Sequence, residues 1–313
     1  MVARTVIELG KGRQMLDLDF RDTEGLVACY LLPEEEGYTL LETGPTACRT
    51  ALLEGLAEAG VSPKEIRTVL VTHIHLDHAG GVGALLEALP SATFYAHELG
   101  VPHLVDPARL SQSARKAWGA AYDRVFGPLV PVDPHRIRPL RGGERFPLRG
   151  GELLVLATPG HAKHHVSFFD SAIAGLFTGD SAGVRLRTQH QARPAIPPPD
   201  LDLDALFQSL SVMQATEPRT ILYSHFGPVP GDASAFIDYR KLVEKWTEVG
   251  LRAASEEATV EHIASALRTY EESTWASGVE RTAEEQMELV SGVEMAAMGL
   301  LRYFQTRGLV GSA

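Results

Sequence analysis

Apolar residues come in short bursts over residues 3–43. Thr5–Leu9, Met15–Phe20, Leu26–Leu32 and Tyr38–Glu42 are separated by turns holding Gly10, Gly12, Gly25 and Gly37. Runs of this length with glycine between them predict an antiparallel meander within one sheet. The spacing then changes: across Thr46–Ala59, Leu52, Leu53 and Leu56 fall on one helical face, and Gly60 supplies the stop. Thr68–Val71 is apolar and mostly β-branched and reads as a buried strand. Val82–Leu89 reads as a short helix ended by Pro90. Ala92–Ala96 predicts a strand, with His97 and His103 after it on short helical segments, as surface or core residues. Ser111–Phe126 has helical spacing, and its apolar stripe reads as packing, with Trp118 and Tyr122 able to line a pocket.

A second block follows. Pro128–Gly151 is rich in turns, with one short strand near Arg136–Leu140. A second sheet is expected from Glu152–Ala157, Val166–Asp170, Ala172–Phe177 and Thr220–Ser224. Residues 184–200, with Arg185, Arg187, His190, Arg193 and three consecutive prolines, read as a long exposed loop. Leu203–Ala215 predicts an amphipathic helix. From Asp232 the pattern is helical throughout, over Ala233–Leu251, Thr259–Tyr270 and Ala283–Thr306. The expected organisation is therefore a catalytic unit over residues 1–230 and a helical extension over 231–313 packed on it, which caps the site or forms a homodimer surface.

Composition narrows the partners. A length of 313 residues suits one large domain with an appendage, and 44% hydrophobic with 22% charged residues is ordinary for a soluble globular chain. A formal net charge of −11 is a poor match to a protein that neutralises phosphates along a duplex, so no nucleic-acid partner is expected. Cys29 and Cys48 form no C-x-x-C pair and are expected as free thiols in a reducing cytoplasm. Met1–Arg13 holds no apolar segment of signal-peptide length, and no apolar run approaches a membrane span, so a cytoplasmic protein with no membrane partner is expected.

The chemistry concentrates in Thr72–Gly81, where a strand passes into a helical turn and three histidines and one aspartate fall within six residues. Imidazole nitrogen and carboxylate oxygen are the ligands a borderline divalent ion prefers. His73 and His75, two apart at a strand end, can hold one ion; Asp77 and His78, beyond the turn, can hold a second. A merely solvated His-rich loop would bring imidazoles together that repel on protonation.

This H-x-H-x-D-H segment resembles the signature of the metallo-β-lactamase superfamily of metal-dependent hydrolases. Three later segments are similar to the family's remaining ligand positions, in the family's order: Thr158-Pro159-Gly160-His161, Phe177-Thr178-Gly179-Asp180 and Tyr223-Ser224-His225. The resemblance implies an α/β fold, an αββα sandwich of two mixed β-sheets flanked by helices, here with an α-helical C-terminal extension. It implies two divalent metal ions, zinc by default with iron or manganese also suited: one on His73, His75 and His161, the other on Asp77, His78 and His225, with Asp180 bridging. A metal-bridging hydroxide would attack the substrate, Asp77 orienting it, so Asp77 and Asp180 are the expected catalytic carboxylates. His165 is expected to position a ligand, and His164, where the thioesterase branch has glycine, to narrow the pocket. Glu42 stands where the family has Asp in an Asp-x-Gly turn, a departure that bears on ligand support.

The match around His161, His165 and Asp180 looks most like glyoxalase II, the hydroxyacylglutathione hydrolase branch, and implies a small-molecule thioester or ester substrate. Arg185 and Arg187 are candidates to contact an anionic thiol carrier, with a solvated loop the favoured reading, and that branch's glutathione-binding residues are not recognisable in Ser181–Arg185. The lactonase branch shares every ligand but has tyrosine where this chain has Gly183. A small-molecule phosphodiesterase is a further alternative, because two ions serve phosphoryl as well as acyl transfer. A true β-lactamase is disfavoured by Asp180, an iron dioxygenase by retention of Asp77, His78 and His225, a flavodiiron reductase by His75 in place of glutamate, and a ribonuclease by the lack of a basic exosite. A metal-stapled scaffold is the non-enzymatic reading. Structural zinc sites are closed by four protein ligands, whereas seven ligands shared by two ions leave positions for substrate.

Overall fold

The computed structural model describes residues 6–187, 191–274 and 281–311, so His190 lies outside the described residues. The first four apolar runs form β1 (Val6–Gly10), β2 (Arg13–Asp17), β3 (Ala28–Pro33) and β4 (Tyr38–Leu41), an antiparallel meander as the pattern predicts. Three parallel strands then extend the same sheet: β5 (Ile66–Leu70), β6 (Thr93–His97) and β7 (Ile137–Leu140), giving seven strands in sequence order. The second sheet has β8 (Arg145–Leu148), β9 (Gly151–Ala157), β10 (Val166–Asp170), β11 (Gly175–Gly179), β12 (Thr220–Tyr223) and β13 (Val229–Pro230), paired in that order, with only β11 and β12 parallel. Met15, Tyr30, Leu41 and Leu70 of the first sheet pack against Val155, Phe168, Phe177 and Leu222 of the second. Alternation along each strand sends these residues to the shared face, where their burial drives the sheets together.

Helices cover both outer faces. On the first lie α1 (Arg49–Glu58), α2 (Leu76–Ala79), α3 (Val101–Val105), α4 (Ala108–Trp118) and α5 (Tyr122–Val125). Next to the second are α6 (Leu203–Gln214), α7 (Ala233–Glu256), α8 (Val260–Thr274), α9 (Arg281–Val290) and α10 (Val293–Thr306). Leu176, Ile221, Leu206 and Leu210 share one apolar cluster with Trp246, Leu267 and Leu300. Among the described residues no helix is long and apolar enough to cross a membrane.

Several expectations need correction. Val82–Leu89 is not a helix but a single tight turn at Gly83–Leu85; a Cβ on Gly83 would lie 1.8 Å from the Val130 carbonyl oxygen, so the segment is shaped by close backbone approach rather than by helical propensity. The strand expected at Ala172–Phe177 begins at Gly175, because residues 171–174 turn from β10 to β11 and Ala174 takes φ 47°. Ala283–Thr306 is two helices, interrupted at Ser291-Gly292. His97 closes β6 rather than lying on a helix. Tyr122 is fully buried beside Phe126, and Trp118 packs edge-on against the same ring, so both serve the core. The described part of 184–200 is not an exposed loop: Val184, Leu186, Arg193, Ala195 and Ile196 are buried.

Candidate metal centre

The strands deliver the candidate ligands at their C-terminal ends: β5 runs into His73, β9 into the loop carrying His161, β11 into Asp180 and β12 into His225. Close approaches at two glycines shape these loops. Gly160 has φ 131° and a Cβ there would meet the Leu206 backbone at 2.4 Å. Gly179 has φ 51°, with its hypothetical Cβ 2.5 Å from His165 Nε2. The structure thereby brings the seven side chains into three overlapping groups: His73, His75 and His161; His73, His78 and Asp180; and Asp77, His78 and His225. Within each group the ligand atoms lie within 4.8 Å of one another.

Four of the imidazoles, His73, His78, His161 and His225, are held from outside by Nδ1. His161 Nδ1 lies 2.8 Å from the Ala195 carbonyl oxygen, and His225 Nδ1 lies 2.9 Å from that of Leu26. His78 Nδ1 lies 3.2 Å from Glu42 Oε1. His73 Nδ1 faces Thr72 Oγ1 at 3.0 Å, and the Thr72 hydroxyl donates to Glu42 Oε1 at 2.5 Å. These partners take the Nδ1 proton and leave Nε2 of His73, His78, His161 and His225 aimed inward, the arrangement expected of metal-bound histidines.

The inner atoms do not satisfy one another. His73 Nε2 and His161 Nε2 each lie 2.9 Å from His75 Nδ1, which carries at most one proton for two lone pairs. His78 Nε2, His225 Nε2 and Asp180 Oδ1 are buried with no hydrogen-bond partner among the described residues. Buried polar atoms in that condition are costly unless something cationic joins them. The donor set fits two divalent cations.

Electrostatics divide the cluster. Burial, followed by the neighbouring imidazoles, holds His73 and His75 well below the ordinary histidine range. Burial also pulls on His78, but Asp180, Asp77 and Glu42 overcome it and raise the ring well above that range. Burial pushes Asp77 up, and the facing His78 and His225 more than reverse it, bringing the carboxyl to about 2. Asp180 is held low by His78 and His225 against the same burial.

His165 is outside all three groups. Its Nε2 accepts from the Asp180 backbone N–H at 3.1 Å, and its Nδ1 lies 3.0 Å from both Thr158 Oγ1 and Ser181 Oγ, so it orders the turn that presents Asp180. His164 stacks on His73 with centroids 6.2 Å apart and is held by burial at about 4. Arg185 and Arg187 do not join the cluster: Arg185 is half-buried, its Nε without a hydrogen-bond partner among the described residues, and Arg187 is exposed, its guanidinium 5.8 Å from the Phe226 ring. Sequence reasoning missed the support from Thr72, Ser224 and the Ala195 and Leu26 carbonyls; only Glu42 carried a signal, as the acid before a glycine turn.

The sequence matches the metallo-beta-lactamase superfamily over residues 22–225. The chain belongs to this superfamily. Most of its members are metal-dependent hydrolases, and the fold typically binds two metal ions. The chain is similar to the metallo-beta-lactamase fold-containing protein ST1585 of Sulfurisphaera tokodaii, 29% identical over 51% of this chain and 60% of that protein. It is similar to a hydroxyacylglutathione hydrolase of Synechococcus sp., 30% identical over 49% of this chain and 47% of that protein. The match thus spans less than two thirds of the length of these curated relatives. The metallo-beta-lactamase family protein TTHA1429 of Thermus thermophilus shares the fold over 98% of this chain and 97% of its own, with a TM-score of 0.69 at 22% identity.

Proposed function

We propose that the chain is a dinuclear metal-dependent hydrolase of a small-molecule thioester or ester, with residues 1–230 as the catalytic unit and the helices of 231–313 packed on it. The observation that carries the reading is the reach of Asp180. Its Oδ1 lies 3.5 Å from His78 Nε2 and 3.7 Å from His225 Nε2, while Oδ2 lies 3.7 Å from His161 Nε2. One carboxylate therefore faces both histidine groups, as a residue shared between two cations must.

His73, His75 and His161 would hold one ion and Asp77, His78 and His225 the other. Bound there, two such ions supply Lewis-acid polarisation of a carbonyl and lower the pKa of water from about 15.7 to about 7. Asp77, ionised at neutral pH and 20% exposed on its side chain, is able to accept a hydrogen bond from water and aim it. The Nδ1 contacts to Ala195, Leu26, Glu42 and Thr72 keep the rings from rotating out of register. His164, beside His73 and His75 on the loop after β9, narrows the entrance.

The hydroxyacylglutathione hydrolases among the relatives support the thioester reading, and a net charge of −11 favours a small molecule over nucleic acid. A lactonase is the second reading. A side chain at Gly183 would run into Tyr239, whose Cε2 lies 2.4 Å from the hypothetical Cβ, so a phenol from α7 fills the space of that branch's tyrosine. Its hydroxyl is engaged by the Ala195 N–H at 3.2 Å, which keeps this reading second.

Elemental analysis of protein purified without chelators, with a panel of thioesters, lactones and phosphodiesters, tests the proposal. We expect about two divalent ions per chain and thioester or ester turnover that His75→Ala abolishes. Metal-loaded wild type that hydrolyses nothing on the panel would instead mark the ions as structural.

A further inference from the structure

We infer that the C-terminal helices position His161 as a metal ligand through a buried strap, residues 193–197. The inference rests on the reading of His73, His75 and His161 as an ion-binding group. The Ala195 carbonyl is the acceptor for His161 Nδ1, and the backbone of the same residue is fixed from the other side, its N–H donating to the Tyr239 hydroxyl on α7 at 3.2 Å.

The neighbours of Ala195 are gripped as well. The Arg193 guanidinium is buried and makes two 2.8 Å bonds to the Glu271 carboxylate on α8. It also donates to Glu288 of α9 at 2.6 Å and to the Ser291 carbonyl at 2.8 Å. Its backbone pairs in both directions with Val184, four residues after Asp180. On α10 a Cβ at Gly299 would lie 1.9 Å from the Ile196 carbonyl oxygen, so helix and strap touch backbone to backbone. Helices α7, α8, α9 and α10 thus converge on a strap that reaches the metal centre through the Ala195 carbonyl.

That carbonyl has a defined chemical job. By accepting from Nδ1 it holds the His161 tautomer whose Nε2 lone pair faces His75, and it fixes the ring plane. A bidentate guanidinium–carboxylate pair is a rigid way to anchor it, because the planar fork tolerates little rotation. Coupling of this kind is reciprocal: whatever loosens the strap weakens the ion on His161, and the ion in turn tightens the helices.

Tyr239→Phe keeps the ring over Gly183 and removes only the hydroxyl; Arg193→Lys keeps the charge and removes the fork. Zinc binding to the full-length wild type and both variants is measured by competition with a chromophoric chelator, and the ring Nδ1–H resonance of His161 is followed by ¹H–¹⁵N NMR in zinc-free protein. Partners of metal-bound histidines carry 10- to 100-fold in metal affinity, and one bond further out we expect about 3- to 10-fold weaker binding of one zinc ion. The other ion should be unaffected, the His161 resonance should shift, and zinc-free melting temperatures should stay within a few degrees of wild type. Unchanged affinities with an unmoved resonance, or equal weakening of both ions, overturn the inference. If wild type takes up no zinc, the metal reading fails separately, and the His161 resonance alone decides whether the strap orients the ring.

Discussion

Oε1 of Glu42 lies 3.2 Å from Nδ1 of His78, and the same oxygen accepts from the hydroxyls of Thr72 at 2.5 Å and Ser224 at 2.9 Å. A single buried carboxylate at the end of β4 thus ties together the segments that carry His73, His78 and His225. It sits at φ 69°, a left-handed conformation that costs a non-glycine residue of order 1–3 kcal/mol and persists where the surroundings demand it.

Glu42→Gln preserves size and removes the charge facing His78. Zinc held by Asp77, His78 and His225 is expected to bind about 10- to 100-fold more weakly, the range for loss of a partner to a metal-bound histidine. The ion on His73, His75 and His161 should suffer less, since Glu42 reaches His73 only through Thr72. Chelator competition resolves the two affinities, and equal affinities in variant and wild type would contradict the role given to Glu42.

Asp180→Asn removes the carboxylate that faces both groups. The bound metal should fall from about two ions per chain towards one, and kcat should drop by about 100-fold or more, since charge stabilisation by each ion is worth several kcal/mol. Metal content and turnover are read on the same preparation. Full occupancy by two ions with unchanged kcat would remove Asp180 from the shared position.

What could be read in the sequence and what could not follows from where the determining contacts lie. The meander up to β4 announces itself because strand and turn signals are local, and H-x-H-x-D-H because its four side chains come from one turn. His161, Asp180 and His225 are legible through the resemblance to the family's later ligand positions, each of which here follows an apolar run. Arg193 was invisible in an arginine-bearing, proline-bounded stretch, because the carboxylates that bury it are 78 and 95 residues further on. Gly183 likewise shows only the absence of a side chain; that Tyr239 fills the space is decided by the docking of α7. The break at Ser291-Gly292 is masked in the sequence, since the apolar spacing continues across it.

Stripping the metal should lower stability measurably. A ligand bound to the folded chain at 100 times its dissociation constant contributes about 2.7 kcal/mol. At about 2–4 °C per kcal/mol for chains of 150–250 residues, zinc removal should lower the melting temperature by roughly 5–10 °C. Calorimetry with and without chelator reads this, and identical transitions would argue against a cluster that needs cations to offset its facing lone pairs.

Zinc-free protein should also lose stability in mild acid, in part through His164. Burial, countered incompletely by Asp200, holds this ring at about 4 against an ordinary value of 6.5. Between those two values the unfolded chain binds the proton and the folded chain refuses it, so the contribution is complete above pH 6.5 and is lost as pH falls towards 4. A shift of that size corresponds to about 3 kcal/mol. Denaturant titrations at pH 7 and pH 5 should show a smaller acid loss in His164→Asn than in wild type; parallel losses would mean that other groups control the acid limb.

Gly179→Ala is the sharpest steric test of how the centre is built. Gly179 ends β11 at φ 51°, where an L-residue is already disfavoured, and a methyl there would lie 2.5 Å from His165 Nε2 and 2.8 Å from Thr72 Cβ and Oγ1. Neither neighbour can move freely: His165 holds the Asp180 N–H, Thr158 and Ser181, and Thr72 is bonded to Glu42 and His73. Overpacking costs typically 1–3 kcal/mol and the left-handed backbone adds about 1 kcal/mol, so a loss of about 2–4 kcal/mol is expected in chemical denaturation. Because the displaced groups are the ones that aim Asp180 and His73, zinc affinity should fall with stability. Gly150→Ala controls for backbone strain alone, since Gly150 has φ 76° but nothing within 4 Å of its hypothetical Cβ. It should cost only the conformational term and leave zinc binding intact, and a Gly179→Ala protein behaving like this control would show that the contact to His165 has no bearing on the metal centre.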